Sequence, residues 1–183
     1  MRSAAATVIL ALPLPCLAAD LVVGFPDPNQ VLTLAADTTV DGDIVLLNHA
    51  RLNLAPGVTL SVTGSLYALA DSSFTADHAR LRFLQPFAYR SALQAWDRAR
   101  VEVSSSTIDG AGYSFSVGLA GQASASWTGN RVVNGFATWG LFDHASAALA
   151  DCDNTGEFLL WNDGALTIDR SRGVLFWIVL PAG

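Results

Sequence analysis

The sequence predicts an all-β solenoid with coils of about 20 to 24 residues, and three observations carry that expectation. A short phrase returns along the chain: Asp97, Arg98, Ala99 with Val101 and Val103 after it, then Asp143, His144, Ala145 with Ala147 and Leu149. It returns again as Asp163, Gly164, Ala165 with Thr167, and a degenerate copy runs Gly121, Gln122, Ala123, Ala125, Trp127. The alanines at 99, 123, 145 and 165 are 24, 22 and 20 residues apart, which is the period of a stacked repeat. Apolar residues alternate with polar ones between these anchors, and glycines recur at the corners, where positive φ is needed.

The elements follow in order. Residues 1–19 carry one basic residue, Arg2, an apolar stretch from Ala4 to Leu14 and the small-residue end Leu17, Ala18, Ala19, which reads as a signal peptide cleaved after Ala18 or Ala19. The stretch is too short to span a bilayer. The alternative for it is a buried N-terminal strand or helix. Residues 20–37 form a lead-in or N-terminal cap, turn-rich around Pro26 and Pro28. Residues 38–183 are assigned to the solenoid.

Within it, Arg51 to Val62 forms two period-two strands joined by the Pro56-Gly57 turn. The run ARLNLAPGVTLSVTGSLYALADSSFTA, from Ala50 to Ala76, resembles the N-terminal coils of right-handed parallel β-helix proteins of the pectin-lyase-like type. The resemblance covers roughly residues 38 to 180 and implies strand, corner, strand, glycine turn and third strand in each coil. Between Ala50 and Ala99 two anchors compete: Asp71, Ser72, Ser73 by spacing, or Asp77, His78, Ala79 by the alternation that follows. Gln85 to Ser91 is a loop that resets the phase. Ser91 to Arg100 fits helix and strand spacing about equally, and the repeat phase decides for strand. The apolar end from Val174 to Leu180 has no polar capping unit, so the chain reads as the front part of a longer solenoid, or one whose last strand docks on another chain. End-to-end self-association is expected from it.

Composition limits function. With net charge −6, no Lys, ten Arg and 16 acidic residues, the chain lacks the basic patch that nucleic acid or an anionic membrane requires. Loss of the leader removes Cys16 and leaves Cys152 without a partner, a structural thiol in a small polar repeat position.

Three sets of residues are candidates for chemistry. Asn48, Asp71 or Asp77, Asp97, Asp143 and Asp163 each precede an anchor by two residues, a place for turn-capping carboxylates; Asp143 and Asp163 are the weak calcium candidates, and no metal is assigned. His49 and His144 share a repeat position about four coils apart, too far for one metal, and His78 has no evident partner. Tyr113, Trp139, Trp161 and Trp177 fall on or beside the third strand of successive coils, where they either form a ladder for stacking on sugar rings or fill the core.

The run Thr107 to Gly112 resembles a segment near the start of polygalacturonase-type β-helix hydrolases. That family's paired aspartates, Gly-His-Gly and Arg-x-Lys are missing, and Asn154, Thr155, Gly156 lacks the Asp that should follow. A pectate-lyase-like reaction would need a basic residue facing a calcium–carboxylate cluster, for which Arg131 or Arg170 is the available type.

The reading is a secreted, periplasmic or cell-surface scaffold, non-catalytic and without cofactor, that binds an extended polymer such as a polysaccharide or a protein partner. A polysaccharide lyase or glycoside hydrolase whose active residues lie outside this chain, and a structural segment of an adhesin, are the alternatives.

Overall fold

A computed structural model of the chain describes residues 7–10, 19–84 and 91–180. Among them there is no α-helix; the chain is an all-β parallel solenoid of about six turns. Each turn contributes one strand to each of three faces. Face 1 stacks Val31–Leu34, Arg51–Leu54, Ser73–Asp77, Arg100–Ser104, Ser124–Thr128, Ser146–Ala150 and Ala165–Asp169, with Thr7–Leu10 pairing outside Val31–Leu34. Face 2 stacks Thr38–Val40, Thr59–Val62, Arg80–Phe83, Thr107–Asp109 and Arg131–Val133. Face 3 stacks Leu21–Val23, Ile44–Leu46, Leu66–Ala68, Ser91–Ala95, Phe115–Leu119 and Ala137–Leu141. The two long strands Asp153–Trp161 and Arg172–Leu180 run from face 2 into face 3 without a break.

Register confirms the repeat and its length. Along face 1, partners in neighbouring turns are offset by 20, 22, 27, 24, 22 and 19 residues. Stacking already includes Leu21–Val23 and Val31–Leu34, so the segment read as a lead-in carries solenoid strands. The competing anchors are settled by Ser73 pairing with Arg51 below and Arg100 above. Ser72 is fully buried at the anchor position, while Asp77 and His78 form the next corner. The expected loop at Gln85 to Ser91 lies outside the described residues, apart from Ser91, which begins a strand.

Two repeat assignments are corrected. Ser73 pairs with Arg100, so Ser72 stacks on Ala99, and Ala70, neither Asp71 nor Asp77, stacks on Asp97. Ser146 pairs with Ala165, so the residue stacked on Ala145 is Gly164 and the last turn is Asn162, Asp163, Gly164. The turn's first residue takes positive φ in each copy: Asn48 60°, Ala70 59°, Asp97 63°, Gly121 71°, Asp143 58° and Asn162 54°. Asn162, not Asp163, therefore stacks on Asp143. The shift has a steric basis, because a Cβ at Gly164 would lie 2.6 Å from the Leu141 carbonyl oxygen. It also puts Ser171 above Cys152.

The core is a stack of inward side chains, with Leu52, Phe74, Val101, Ala125 and Ala147 in one column and Leu54, Ala76, Val103, Trp127 and Leu149 in the next. Volumes compensate across the axis: Trp127, flanked in register by Val103 and Leu149, meets Trp139 edge-on at 4.7 Å between ring centroids. Trp139 in turn stacks on Phe158 at 5.8 Å. Small residues beside large ones let such layers fill without voids.

A buried polar ladder runs up the corner between faces 1 and 2. Ser106 Oγ accepts from the Ala79 N–H at 3.0 Å, Asn130 Oδ1 from the Ser106 N–H at 2.9 Å, and Ser171 Oγ from the Cys152 N–H at 3.0 Å. Ser106, Asn130 and Cys152 are each at most 3% exposed. Cys152 donates to the Ala150 and Trp127 carbonyls, and burial pushes its thiol pKa up, so it fills a serine-like structural position.

Candidate functional site: one uncharged face with aromatic edges

The three faces differ in charge, and the difference follows strand by strand. The outward positions of face 1 include Arg51, Arg100 and Glu102, and those of face 2 include Arg80, Arg82 and Arg131. The face 3 segments contain no Arg, Asp or His, since Asp153 and Arg172 stand where the two long strands still belong to face 2, and their single ionisable carboxylate is Glu157. Where the sheet is widest, its outward residues are small: Gly118 pairs with Gly140, and Ser116 with Thr138. The Gln94 side chain lies over Gly118 and the Phe142 ring over Gly140, each in the space a Cβ would take.

Both edges of this face carry exposed aromatic rings. At the corner leading to face 1, register places Trp96, Ala120, Phe142 and Trp161 in one column, with Trp96 45% and Trp161 43% exposed. At the ~4.8 Å strand spacing, the three rings stand at roughly 0, 10 and 14 Å along the axis. Tyr67 supports Trp96 edge-on at 6.4 Å. At the other edge, Tyr113 and Phe136 are 44% and 37% exposed. Next to Phe136 lies a groove of about 350 Å3 lined by Ser114, Ser116, Thr138 and Glu157, in which the Thr138 hydroxyl donates to Glu157 at 3.2 Å.

The four aromatic candidates separate on this surface. Tyr113 and Trp161 are exposed at opposite edges, whereas Trp139 is fully buried in the core because its register partners, Val117 and Phe158, face inward. Trp177 lies in the Arg172–Leu180 strand, in register with Phe158, and its side chain lies outside the described residues. No single ladder joins the four. Trp161 stands three residues beyond the register of Trp139, an odd step that moves a strand residue from the inner to the outer side. Trp96, Phe136, Phe142 and Glu157 complete the surface; the signal for them was the missing charge of every third strand.

The Asp column is a turn ladder. Asp97 Oδ2 accepts from the Ala70 N–H at 3.2 Å and Asp143 Oδ2 from the Gly121 N–H at 3.3 Å, so these carboxylates reach the turn one coil below rather than the backbone two residues on. Asp163 pairs with His144 at 3.3 Å, while Asn162 Nδ2 donates weakly to Asp143 at 3.4 Å. His49 pairs with Asp71 at 3.6 Å, and His78 with Asp77 at 2.9 Å. Asp71 accepts two bonds from Arg98, at 2.6 and 2.7 Å, and these hold its carboxyl below the usual range. Among the described residues no three His, Cys, Asp or Glu side chains come together as metal ligands.

Asp109, in the Thr107 to Gly112 run, is the one buried acid among the described residues. It accepts from the Ala111 N–H at 2.9 Å and Asn134 Nδ2 at 3.1 Å, and it pairs with Arg80 and, at 3.4 Å, with Arg82. Burial raises its pKa, but the Ala111, Arg80 and Asn134 bonds outweigh that and hold it low. It is an internal hub with its acceptor sites filled. Of the two arginines named for lyase chemistry, Arg131 pairs with Asp153 at 3.7 Å and Arg170 with Asp151 at 2.7 Å.

Fold and surface together define a parallel β-solenoid with two charged faces and one aromatic-edged face whose single charge is Glu157. No family model, curated protein or solved structure matches the chain. Among the described residues no helix is long and apolar enough to cross a membrane.

Proposed function

We propose that the chain is a non-catalytic scaffold of the right-handed, pectin-lyase-like kind that binds an extended polymer, a polysaccharide, along face 3. The observation that carries this reading is the pairing of a strip with one charged group, Glu157, with exposed aromatic rings on both of its edges. Aromatic rings offer large apolar area at small entropic cost and stack on the apolar faces of sugar rings. Hydroxyls at Ser116 and Thr138 and the Glu157 carboxylate supply donors and acceptors for sugar hydroxyls. A strip that continues from coil to coil suits a polymer better than a compact ligand. The right hand follows from the rule that parallel crossovers within one sheet are right-handed in about 98% of cases. A leader removed at Ala18 or Ala19 places the protein outside the cytoplasm, at the cell surface or beyond.

Affinity electrophoresis of the purified chain through gels cast with neutral and with acidic polysaccharides tests this. Retardation by at least one polymer is expected, reduced about tenfold in affinity, or ~1.4 kcal/mol, by Trp161→Ala and by Phe136→Ala. No retardation by any polymer, or retardation indifferent to both substitutions, refutes the assignment to face 3. Release of new reducing ends or unsaturated products from a retarding polymer would favour the lyase or hydrolase alternative instead.

A further inference from the structure

We propose that the groove on face 1 across its Arg51, Ser73 and Arg100 strands binds a tetrahedral oxyanion, a phosphate or sulfate group, held between Arg51 and Arg100. The site is on a different face from the aromatic edges and stands independently of the polymer reading.

Register places Arg51 and Arg100 in one outward column with Ser73 between them. Two strand spacings, ~10 Å, separate their backbones. Arginine stems are long enough for both guanidinium groups to meet above the Ser73 hydroxyl. The groove, about 490 Å3, is also lined by Asn53 and Thr75, which add neutral donors.

The pairing pattern singles these two arginines out. Arg80, Arg82, Arg98, Arg131 and Arg170 each have a carboxylate partner, whereas among the described residues Arg51, Arg100 and Arg172 have no ion pair. Two of those three share one groove, in a chain whose 16 acids outnumber its ten arginines. Asp71, on the groove wall, is engaged by both Arg98 bonds; its charge also acts on Arg100, without a direct ion pair, and together with Glu102 limits affinity. Two planar forks present four N–H donors, which a tetrahedral oxyanion uses more fully than a two-oxygen carboxylate. Glu102 lies in the adjacent outward column and opposes a dianion, which limits affinity. It also separates the two sources, because a protonated phosphate oxygen can donate to Glu102 and sulfate, fully ionised, cannot.

The test is calorimetric titration of the intact chain with inorganic phosphate and, separately, inorganic sulfate, at pH 7 and low ionic strength, where exposed charges are least screened. Saturable binding with Kd near ~1 mM is expected for at least one anion, weakened at least tenfold by Arg51→Gln and by Arg100→Gln. Arg172→Gln, which removes an unpaired arginine elsewhere, should leave the affinity unchanged. Glu102→Gln should tighten sulfate about threefold; if it weakens phosphate instead, the site is selective for phosphate. All four positions are solvent-facing, and circular dichroism of each variant checks that the fold is retained. Absence of saturable binding to both anions, or equal loss in Arg172→Gln, overturns the proposal.

Discussion

Replacing Asp109 by alanine is the severest single test of how the solenoid is held together on face 2. The carboxylate is 2% exposed and serves Ala111, Asn134, Arg80 and Arg82 at once. Its removal leaves Arg82 Nε, already buried without a hydrogen bond, facing no opposite charge; the Arg82 side chain is 40% exposed, so solvent screening holds this cost to about 0.5–1 kcal/mol. Arg80 is 46% exposed and rehydrates, so its share is discounted to about 0.5–1 kcal/mol. Adding the Ala111 N–H left without its acceptor, about 1–2 kcal/mol, brings the expected loss to ~2–4 kcal/mol. Urea denaturation at pH 7 measures it, with the slope compared to confirm that only stability changed.

The same residue sets part of the acid response. Its folded pKa is depressed, so its contribution is present above the unfolded value of about 3.9 and is lost as pH falls through the folded pKa. Asp109→Asn should therefore cost less than alanine and flatten the decline in stability below about pH 4. A loss under ~0.5 kcal/mol in Asp109→Ala would refute the hub, because that is the ordinary scatter of surface substitutions.

Three further outcomes are expected. Gly24→Ala should destabilise by more than ~2 kcal/mol and Gly57→Ala by only about 1–2, because both have positive φ (100° and 81°) but only at Gly24 does a Cβ meet backbone, the Leu47 carbonyl; equal effects in thermal melts would show that the clash is not felt. Cys152→Ser should stay within ~1 kcal/mol of the parent, since serine occupies the same buried column at 106 and 171, and the native thiol should react with a thiol reagent only on unfolding; rapid native labelling would contradict its burial. Melts in calcium and in chelator should coincide, with Asp143→Asn within ~0.5 kcal/mol, because Asp143 bonds the Gly121 turn and Asp163 bonds His144; a calcium-dependent rise abolished by Asp143→Asn would show a metal site instead.

Much of the architecture was readable because a solenoid is local in a special sense: every coil repeats the same demand, so the spacing of Ala99, Ala123 and Ala145 reports the turn length directly. The corner glycines and period-two strands carried the all-β class for the same reason. Sequence also held the charge asymmetry among faces, since the third strands lack Arg, Asp and His whatever their register.

What sequence spacing could not decide was phase. A one-residue step turns an outward side chain inward, so Gly164 rather than Ala165 at the anchor changes which residue stacks on Asp143. Trp139 and Trp161 read alike in the sequence, yet an odd step of three residues buries one against Trp127 and Phe158 and leaves the other on the surface. The turn aspartates, likewise, bond across coils to the Ala70 and Gly121 backbone, partners 27 and 22 residues away that only stacking brings within reach.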